Sequence, residues 1–454
     1  MNDGDAVDWL HERVVAECRG DETMGEYEVL IDRCTLEARR KALQRLTRDA
    51  ARRQELGCPH CGGKLRVEGH GRERTVESMF GKVRFARSYG WCPRCLCHAY
   101  PADVALGLNG RATTSPRIQE VCALTVLHGP AGRSEEDVRR LTGREIAAST
   151  MHREAGRQGE RALELRERDA RLAETPEGAA CLSARAPVLP QHSTLVIEVD
   201  AWNIRERDHW GQTQARRDAG EEVGRWHWVY AGTVFRLDQR GTTASGRALV
   251  ADRGYVATRS GLDQFKRQLY AEALQRGLSQ AETVLVLGDG AVWIWNLARE
   301  RFGDARQRVD LFHVKQHLWD LAAELHGRDT PEAKEWVAPY LRWLESRKDG
   351  ALDVIEGLEE LERKLAGLED GGREATAREI RYLKEHSDRM DYKDAKALGQ
   401  PCGSGAIEST CSQYQRRFKL TGQFWSLKGD EAFLALATLH RNGRWHLLFP
   451  HDEL

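Results

Sequence analysis

Hydrophobic and polar residues repeat with different periods along this chain. Apolar positions recur at helical spacing in residues 1–55 and 113–172, whereas short segments of 56–101 alternate between apolar and polar residues. Beyond residue 193, continuous apolar runs such as TVLVL (283–287) predict buried strands, and amphipathic helical segments follow the later runs. The pattern therefore predicts helices around a small β segment in the N-terminal half and an α/β fold in the C-terminal half.

The first segment, residues 1–55, is predicted to be helical and ends in the basic stretch EARRKALQRLTRDAARR. A solvated or self-associating helix has this pattern, and so does an arm that contacts DNA. Both interpretations stay open at this point.

Residues 56–102 contain two Cys-x-x-Cys pairs on either side of a predicted β-hairpin with its turn at FGK (80–82). Four thiolates in this arrangement suit tetrahedral zinc, whose ligation stabilises a segment too small to form a large core. We predict a zinc ribbon with a structural Zn²⁺, and we keep Cys97 and His98 as alternate ligands. The four predicted ligands are Cys58, Cys61, Cys92 and Cys95.

Residues 103–175 predict a helix, a break at GPAGR, a short helix capped by Ser134 and a long basic helix. This order is typical of a helix-turn-helix, whose last helix can enter the major groove, although a plain helical bundle has the same pattern. An Ala- and Pro-rich linker is predicted at 176–192. The residues predicted to contact DNA in this half are Arg153 and Arg157 of the basic helix and Lys64, Arg66, Arg72 and Arg74 of the ribbon.

The remaining chain predicts strands and helices in the order βββαβαβα. This order is expected of an RNase H-like core, a mixed five-stranded sheet in which three strands form a meander and crossover helices add parallel strands. We assign its first part to 193–300, a strand plus a charged helical insertion to 301–403, and its C-terminal helices to 404–454.

Three acids fall at positions where this fold would gather them. Asp200 is expected at the end of the first strand, Asp289 follows the fourth strand between Gly288 and Gly290, and Glu408 lies on a later helix. Clustered carboxylates repel unless cations neutralise them, and two Mg²⁺ or Mn²⁺ ions would also clamp a phosphodiester for in-line attack. The glycines would let a phosphate approach the backbone.

Each acid also has an ordinary interpretation. Asp289 suits a simple turn, Asp200 a loop after a strand, and Glu408 the first turn of a helix. Asp252, in LVADRGY, is a rival for the second position. The joint placement of the three acids in the fold favours a shared site.

Cations and aromatic residues accompany the predicted acid site. Arg416, Arg417 and Lys419 follow Glu408 and are predicted to contact DNA phosphates. Three tryptophans would either stack on an unpaired base or fill the core, and they are Trp293, Trp295 and Trp425.

Composition narrows the choice of partners only a little. The chain has 454 residues, 31% of them charged, and a net charge of −1, so any nucleic-acid surface must be a local patch. Its apolar stretches are shorter than the roughly 18 residues of a membrane span. The expected location is the cytoplasm, with nucleoid association if the protein is bacterial.

The segments VIEVDAWN, VLGDGAVWIWN, DLFHVKQHLW, CGSGAIEST and the closing FWS…LHRNGRW resemble, in that order, DDE-class transposases of bacterial insertion sequences, in particular the ISKra-type group. The resemblance begins at the cysteine pairs and implies that Asp200, Asp289 and Glu408 are catalytic. His313 would lie near them, orienting a phosphate or a carboxylate; an ordinary hydrogen-bonded histidine on a strand is the alternative.

The resemblance further implies an enzyme that cleaves DNA at the ends of an insertion sequence and transfers the freed strand into target DNA. Such an enzyme would use two Mg²⁺ or Mn²⁺ ions, recognise terminal inverted repeats and act as a homo-oligomer. A non-catalytic zinc-containing DNA-binding regulator and a structure-specific nuclease without strand transfer are the competing functions.

Overall fold

In the computed structural model the chain forms two compact units, Met1–Ala155 and Gly156–Leu454. Within the described ranges, no helix combines the length and the apolar character needed to cross a membrane. The described residues are 3–54, 57–108, 110, 112–207, 211–221, 223–246, 248–365 and 371–450.

The first unit contains helices on both sides of a small sheet in the sequence. Its elements are α1 (Asp3–Val15), α2 (Met24–Arg53), β1 (Arg66–Ser78), β2 (Gly81–Cys92), β3 (Cys97–Ala99), α3 (Pro101–Ala105), α4 (Pro116–His128), α5 (Ala131–Thr142) and α6 (Ala148–Leu172), the last of which continues into the second unit.

The predicted hairpin of the first unit is confirmed. Strands β1 and β2 pair antiparallel from Ser78–Gly81 at the turn to Arg66–Trp91 at the open end, and β3 adds to β2. Alternation buries Val76, Val83 and Phe85 on one face. Such a core is thin, so the open end of the hairpin needs another source of stability.

Helices α4, α5 and α6 occur at the predicted helix-turn-helix, but the predicted cap of the short helix is wrong. Helix α5 begins at Ala131 with Pro130 as its N-cap, three residues before Ser134. Ser134 is buried inside the helix, and its hydroxyl donates to the Pro130 carbonyl at 3.2 Å. Proline at the N-cap fixes the entry of the chain earlier than the serine pattern suggested.

The second unit contains the α/β fold. Its further elements are α7 (Pro176–Ser183), β4 (Thr194–Glu206), α8 (Thr213–Asp218), β5 (Arg225–Arg236), β6 (Arg240–Thr242), β7 (Ala248–Val250), β8 (Gly254–Thr258), α9 (Leu262–Gln275), β9 (Thr283–Gly288), α10 (Val292–Phe302), β10 (Arg306–Val309), α11 (Leu311–His326), α12 (Pro331–Ser346), α13 (Gly350–Lys364), α14 (Gly371–His386), α15 (Tyr392–Ala397), α16 (Gly405–Phe418) and α17 (Leu427–Arg441). Part of the predicted linker is thus helical, because Leu182 of α7 is fully buried against α9.

The main sheet of the described second unit is mixed and five-stranded, in the order β10-β9-β4-β5-β8. Strand β4 pairs antiparallel with β5, which pairs antiparallel with β8, whereas β9 and β10 run parallel to β4. The apolar run of β9 lies between β4 and β10, and its residues Leu285, Val286 and Leu287 are fully buried. The predicted α/β class with a mixed five-stranded sheet is confirmed.

The charged helices predicted as an insertion share the core of the sheet. Val337 of α12, Leu358 of α13 and Leu383 of α14 are fully buried in one cluster with Val286 of β9 and Val314 of α11. Apolar packing therefore holds these helices against the sheet, and the charged Glu379 of α14 is buried as well.

Candidate functional site

Two of the predicted acids emerge side by side from the main sheet. The parallel pairing of β4 with β9 ends at Glu198 and Leu287, and Asp200 and Asp289 each follow two residues later. Burial raises the pKa of Asp200, and the negative charge of Asp289 raises it further. The two carboxylates therefore repel each other at the same level of the sheet.

The prediction that Asp200 ends its strand is wrong. Strand β4 continues to Glu206 because β5 stays paired with it, and Asp200 lies opposite Ala231. Only the parallel half of the pairing ends before Asp200. The divergence of β9 from β4 opens the edge at which this side chain sits.

A third aspartate, Asp310, lies next to Asp289 and was missed by sequence reasoning. Strand β10 pairs with β9 through Val309 and Gly288, so Asp310 and Asp289 each follow their strand by one residue. The backbone N–H of Asp310 donates to the Gly288 carbonyl at 2.8 Å. A strand followed directly by an aspartate, the feature that indicated Asp289, also occurs in RVD at 308–310. This feature could have identified Asp310 from the sequence.

Hydrogen bonds hold Asp310 in place. One carboxylate oxygen accepts from the backbone N–H groups of Phe312 and His313 at the start of α11, and the other accepts from the backbone N–H and the hydroxyl of Ser404. Although burial opposes it, the nearby His313 imidazole and hydrogen bonds from Ser404 lower the pKa of this fully buried carboxyl. Asp310 thus ties α11 to the loop before α16.

Glu408 is carried to the same edge by α16. The side chain of Glu198 on β4 accepts a hydrogen bond from the Ile407 N–H at 2.9 Å, which fixes the first turn of α16 against the sheet. Burial raises the pKa of Glu198 to about 8. The apolar face predicted for this helix, Ile407, Cys411, Tyr414 and Phe418, is buried together with Thr410, whereas Glu408 itself is exposed.

The thiol of Cys411 connects the two sides of the cluster. Burial raises its pKa, and the charges of Asp200 and Glu408 both raise it further. The thiol in turn lowers the pKa of Asp200. The buried Cys411 thiol therefore lies close enough to Asp200 of β4 and to Glu408 of α16 for both charges to affect its pKa.

His313 lies in the first turn of α11, so the alternative of a histidine on a strand is wrong. One ligand atom from each of Asp310, His313 and Glu408 lies within 4.8 Å of the others. The Asp310 carboxylate, 3.9 Å from His313 Nδ1, raises the pKa of His313, and the charges of Asp289 and Glu408 contribute. An imidazolium at this position would face the acids as a cation.

The glycines around Asp289 have packing and conformational roles. A Cβ on Gly288 would lie 2.5 Å from the Ile294 side chain, and Gly290 has a φ of +106°. Asp289 accepts a hydrogen bond from the Ala291 N–H at 2.9 Å. Asp289 thus forms a turn and also belongs to the acid cluster of Asp200, Asp289 and Glu408. The glycine at position 288 is explained by its close contact with Ile294 rather than by room for a phosphate.

The structure favours the ordinary structural roles of Asp252 and of the three tryptophans over roles in the site. Asp252 forms an ion pair with Arg276 at 2.6 Å. Trp295 and Trp425 are buried, and Trp293 packs edge-on against Tyr230. These rings fill the core.

The basic residues after Glu408 differ from one another. Arg416 and Lys419 are exposed and remain available to a phosphate. Arg417 is half-buried over the rings of Trp425 and Phe433, and burial lowers its pKa to about 10. Arg417, which we predicted to contact DNA, therefore packs inward.

Four cysteines of the first unit converge at the open end of the hairpin. The sulfur atoms of Cys58 and Cys95 lie 3.9 Å apart, and those of Cys61 and Cys92 lie 3.6 Å apart. Zinc bonded at about 2.3 Å to four tetrahedral sulfurs requires about 3.8 Å between them. These residues could hold a structural zinc.

Backbone hydrogen bonds favour a thiolate at Cys92, whereas the Cys61 thiol and burial raise the pKa of Cys95. Hydrogen bonds from the N–H groups of Cys95 and Arg94 lower the pKa of Cys92 to about 7. Of the two alternate ligands, His98 bonds to Glu68 at 2.7 Å instead, and Cys97 packs beside the four cysteines. The predicted Cys₄ set is the one that the fold assembles.

The basic residues of the N-terminal half also separate by exposure. Lys64, Arg66 and Arg153 are exposed, and Arg157 is half-buried. Arg74, which we expected to contact DNA, is buried in an ion pair with Asp103. Arg72 lies over the Tyr89 ring with its guanidinium carbon 4.5 Å from the centroid.

Comparisons with known proteins provide no further constraint. No protein-family model matches the chain, and no curated protein matches it. A functional assignment therefore depends on the residues and geometry described above.

Proposed function

We propose that this chain is a DDE-type transposase with an RNase H-like catalytic core. The strand order supports this fold, because the first strand of the core, β4, lies between its antiparallel partner β5 and the parallel strand β9. In an RNase H-like sheet the first and fourth strands are neighbours in this way. The resemblance of the motifs around Asp200, Asp289 and Glu408 supports the same proposal.

The observation that carries the proposal is the common level of Asp200 and Asp289 on adjacent parallel strands, with Glu408 on a helix fixed to β4. These acids come from three separate parts of the chain. Burial and the negative charge of Asp289 raise the pKa of Asp200, and the repulsion between these two acids is the electrostatic condition that a divalent cation relieves.

The donor set fits Mg²⁺ or Mn²⁺, which prefer carboxylate oxygens. Asp200, Asp289 and Glu408 would hold the ions, and they would have to draw closer to do so, because the ligand atoms that already lie within 4.8 Å of one another are those of Asp310, His313 and Glu408. Two bound divalent cations supply activation of a nucleophile and stabilisation of the leaving oxygen in phosphodiester chemistry. Asp310 is better suited to positioning, because both of its oxygens already accept hydrogen bonds from Ser404 or from the start of α11.

His313 and the exposed cations would act on the DNA itself. A protonated His313 offers an N–H to a phosphate oxygen beside the acids, and Asp310 holds the protonated form. Arg416 and Lys419 provide further positive charge on the same helix end.

We propose DNA with terminal inverted repeats and a target duplex as partners, bound by a homo-oligomer. The helices α4–α6 and the exposed Lys64, Arg66 and Arg153 would contribute to recognition of the element ends. A structural zinc in the Cys₄ cluster would hold the hairpin that carries Lys64 and Arg66.

The proposal is tested with purified protein, Mn²⁺, a supercoiled target plasmid and labelled DNA taken from both sides of the gene. The expected products are a 3′-hydroxyl at the element end and its joining to the plasmid. Asp289→Asn should lower both by about a thousandfold or more, whereas Asp252→Asn, in the ion pair with Arg276, should leave them unchanged.

The competing functions give different outcomes. A DNA-binding regulator would shift the labelled DNA without cutting it. A structure-specific nuclease would cut it but form no joined product. Either result, with protein that binds the DNA, would contradict the proposal.

A further inference from the structure

The β4–β5 ribbon extends beyond Asp200 and exposes two tryptophans on one of its faces. Asn203 pairs with Trp228 and Arg205 pairs with Trp226, so these side chains point to the same face. Trp226 is 59% exposed and Trp228 is 56% exposed. Outward positions of a strand are ordinarily polar, and two neighbouring exposed indoles indicate a binding surface.

Cations lie over the aromatic rings of this ribbon. The guanidinium carbon of Arg205 is 4.6 Å from the centroid of Phe424 and 5.8 Å from that of Trp226, and Lys419 Nζ is 5.8 Å from Trp226. The guanidinium carbon of Arg207 is 3.7 Å from the centroid of Phe424. We define the aromatic–basic surface as Arg205, Arg207, Trp226, Trp228, Lys419 and Phe424.

The same face of β5 is covered where it enters the core. Tyr230, two residues beyond Trp228, stacks on Phe265 of α9 and meets Trp293 of α10. Among the described residues, this covering of the face does not reach Trp226 or Trp228, as their exposure demonstrates. The exposed rings therefore continue an aromatic row that begins inside the protein.

We propose that the aromatic–basic surface binds unpaired bases of a single DNA strand, an inference that rests on the proposed function of the neighbouring acid site. Indole rings stack on bases of any sequence, and the arginines and Lys419 match the charge of the phosphates. Bases inside a duplex do not present their faces to such rings, so the surface fits a frayed end or a single strand.

The spacing of the rings supports an extended strand. Two residues along β5 separate Trp226 from Trp228 by about 7 Å. Consecutive bases in one strand of a duplex are only about 3.4 Å apart, so neighbouring nucleotides can reach both rings only after they unstack from each other. Asn203, opposite Trp228, lies about 10 Å along β4 from Asp200, but the two side chains project from opposite faces of the strand, so a bound single strand would have to pass around the open edge of β4 to reach the acids.

The test measures binding of a fluorescein-labelled fifteen-nucleotide oligo-dT and of a fifteen-base-pair duplex to full-length protein by anisotropy, without added Mg²⁺ or Mn²⁺. The double variant Trp226→Ala/Trp228→Ala should bind oligo-dT about tenfold more weakly or worse, with duplex binding changed less than about twofold. The matched control is Trp319→Ala, which removes a tryptophan that is 38% exposed on α11, and it should behave like the wild type.

Two further variants guard against loss of folding. Trp226→Phe/Trp228→Phe keeps aromatic faces and should retain most of the oligo-dT affinity, whereas Arg205→Gln keeps both indoles and should lose about threefold or more at low salt. Unchanged oligo-dT affinity in the double alanine variant would overturn the inference. So would a wild-type dimer that this variant dissociates, because the surface would then join two copies of the chain.

The inference and the proposed function fail separately. Asp289→Asn should abolish cleavage but leave oligo-dT binding intact. Loss of cleavage in that variant, combined with unchanged oligo-dT binding by the double alanine variant, rejects only the aromatic–basic surface. Normal oligo-dT binding through the tryptophans without any Mn²⁺-dependent cleavage rejects only the transposase.

Discussion

The Cys₄ cluster of the first unit and the acid cluster of the second gather ligands in opposite ways. The cysteines come from two short turns at the end of one hairpin, in a segment with a thin apolar core. The acids come from β4, the end of β9 and α16, which are fixed by the buried core around the sheet and by protein hydrogen bonds. The first site should therefore need its metal to fold, whereas the second should be ready before its metal arrives.

Removal of zinc should produce the largest effect. Loss of the metal, or Cys92→Ser, should cost the first unit on the order of 10 kcal/mol of folding free energy, because zinc ligation supplies what the core lacks. Hydrogen exchange read by mass spectrometry should show fast exchange in β1–β3 and unchanged protection in β4 and β9. Cys97→Ser is the matched control, and it should keep one zinc per chain.

Continued protection of the hairpin in the zinc-free protein would contradict the view that this hairpin needs zinc to fold. A loss of protection in the main sheet together with the hairpin would contradict the view that the second unit folds independently of zinc.

Asp310→Asn should have the next largest effect, on the second unit. The amide nitrogen of asparagine would face the N–H groups of Ser404 or Phe312, so the variant should lose about 2–4 kcal/mol of unfolding free energy in urea. Asp289→Asn is the matched change at a half-buried acid. It should cost less than about 1 kcal/mol, since it removes the repulsion with Asp200.

Equal losses in the two variants would contradict the view that protein hydrogen bonds, rather than metal, hold the acid cluster. The readout is the urea midpoint of the zinc-loaded protein without added Mg²⁺ or Mn²⁺.

Asp430 tests a carboxyl of the second unit outside the acid cluster, where the effect should be smaller. It is fully buried, and burial next to Glu206 raises its pKa to about 9. The folded state therefore holds a proton that the unfolded state releases near pH 4, so this group's stabilising contribution is complete below about pH 4 and is lost as pH rises to about 9.

Asp430→Asn should flatten this pH dependence and raise the unfolding free energy by about 1–3 kcal/mol at pH 8 relative to the wild type. The control is Asp263→Asn, an exposed side chain of α9 that should change stability by less than about 0.5 kcal/mol. Parallel pH profiles for the wild type and Asp430→Asn would show that Asp430 is ionised in the folded protein.

Local patterns predicted the elements of both regions. Each of these predictions depends on a pattern only a few residues long. The FGK turn predicts the hairpin, the cysteine pairs predict the Cys₄ cluster, and the apolar run before Asp289 predicts strand β9. The apolar face of α16 was equally accessible, because Ile407, Cys411 and Tyr414 repeat at helical spacing.

Features that depend on pairing between distant segments could not be predicted in this way. Asp200 lies inside its strand because β5 extends the antiparallel pairing, and Glu198 anchors α16 through a residue 209 positions away. A basic residue looks the same in sequence whether it is exposed like Arg416 or packed on aromatic rings like Arg417. The sequence likewise does not indicate that Trp226 is exposed.

The most direct test of the central claim is a titration of zinc-loaded protein with Mn²⁺, in which electron paramagnetic resonance counts the free ion. The account predicts two bound Mn²⁺ ions per chain for the wild type and for Asp252→Asn, and loss of this binding in Asp289→Asn. Wild-type protein that binds no Mn²⁺, or Asp289→Asn protein that binds it as the wild type does, would contradict a shared cation site at Asp200, Asp289 and Glu408.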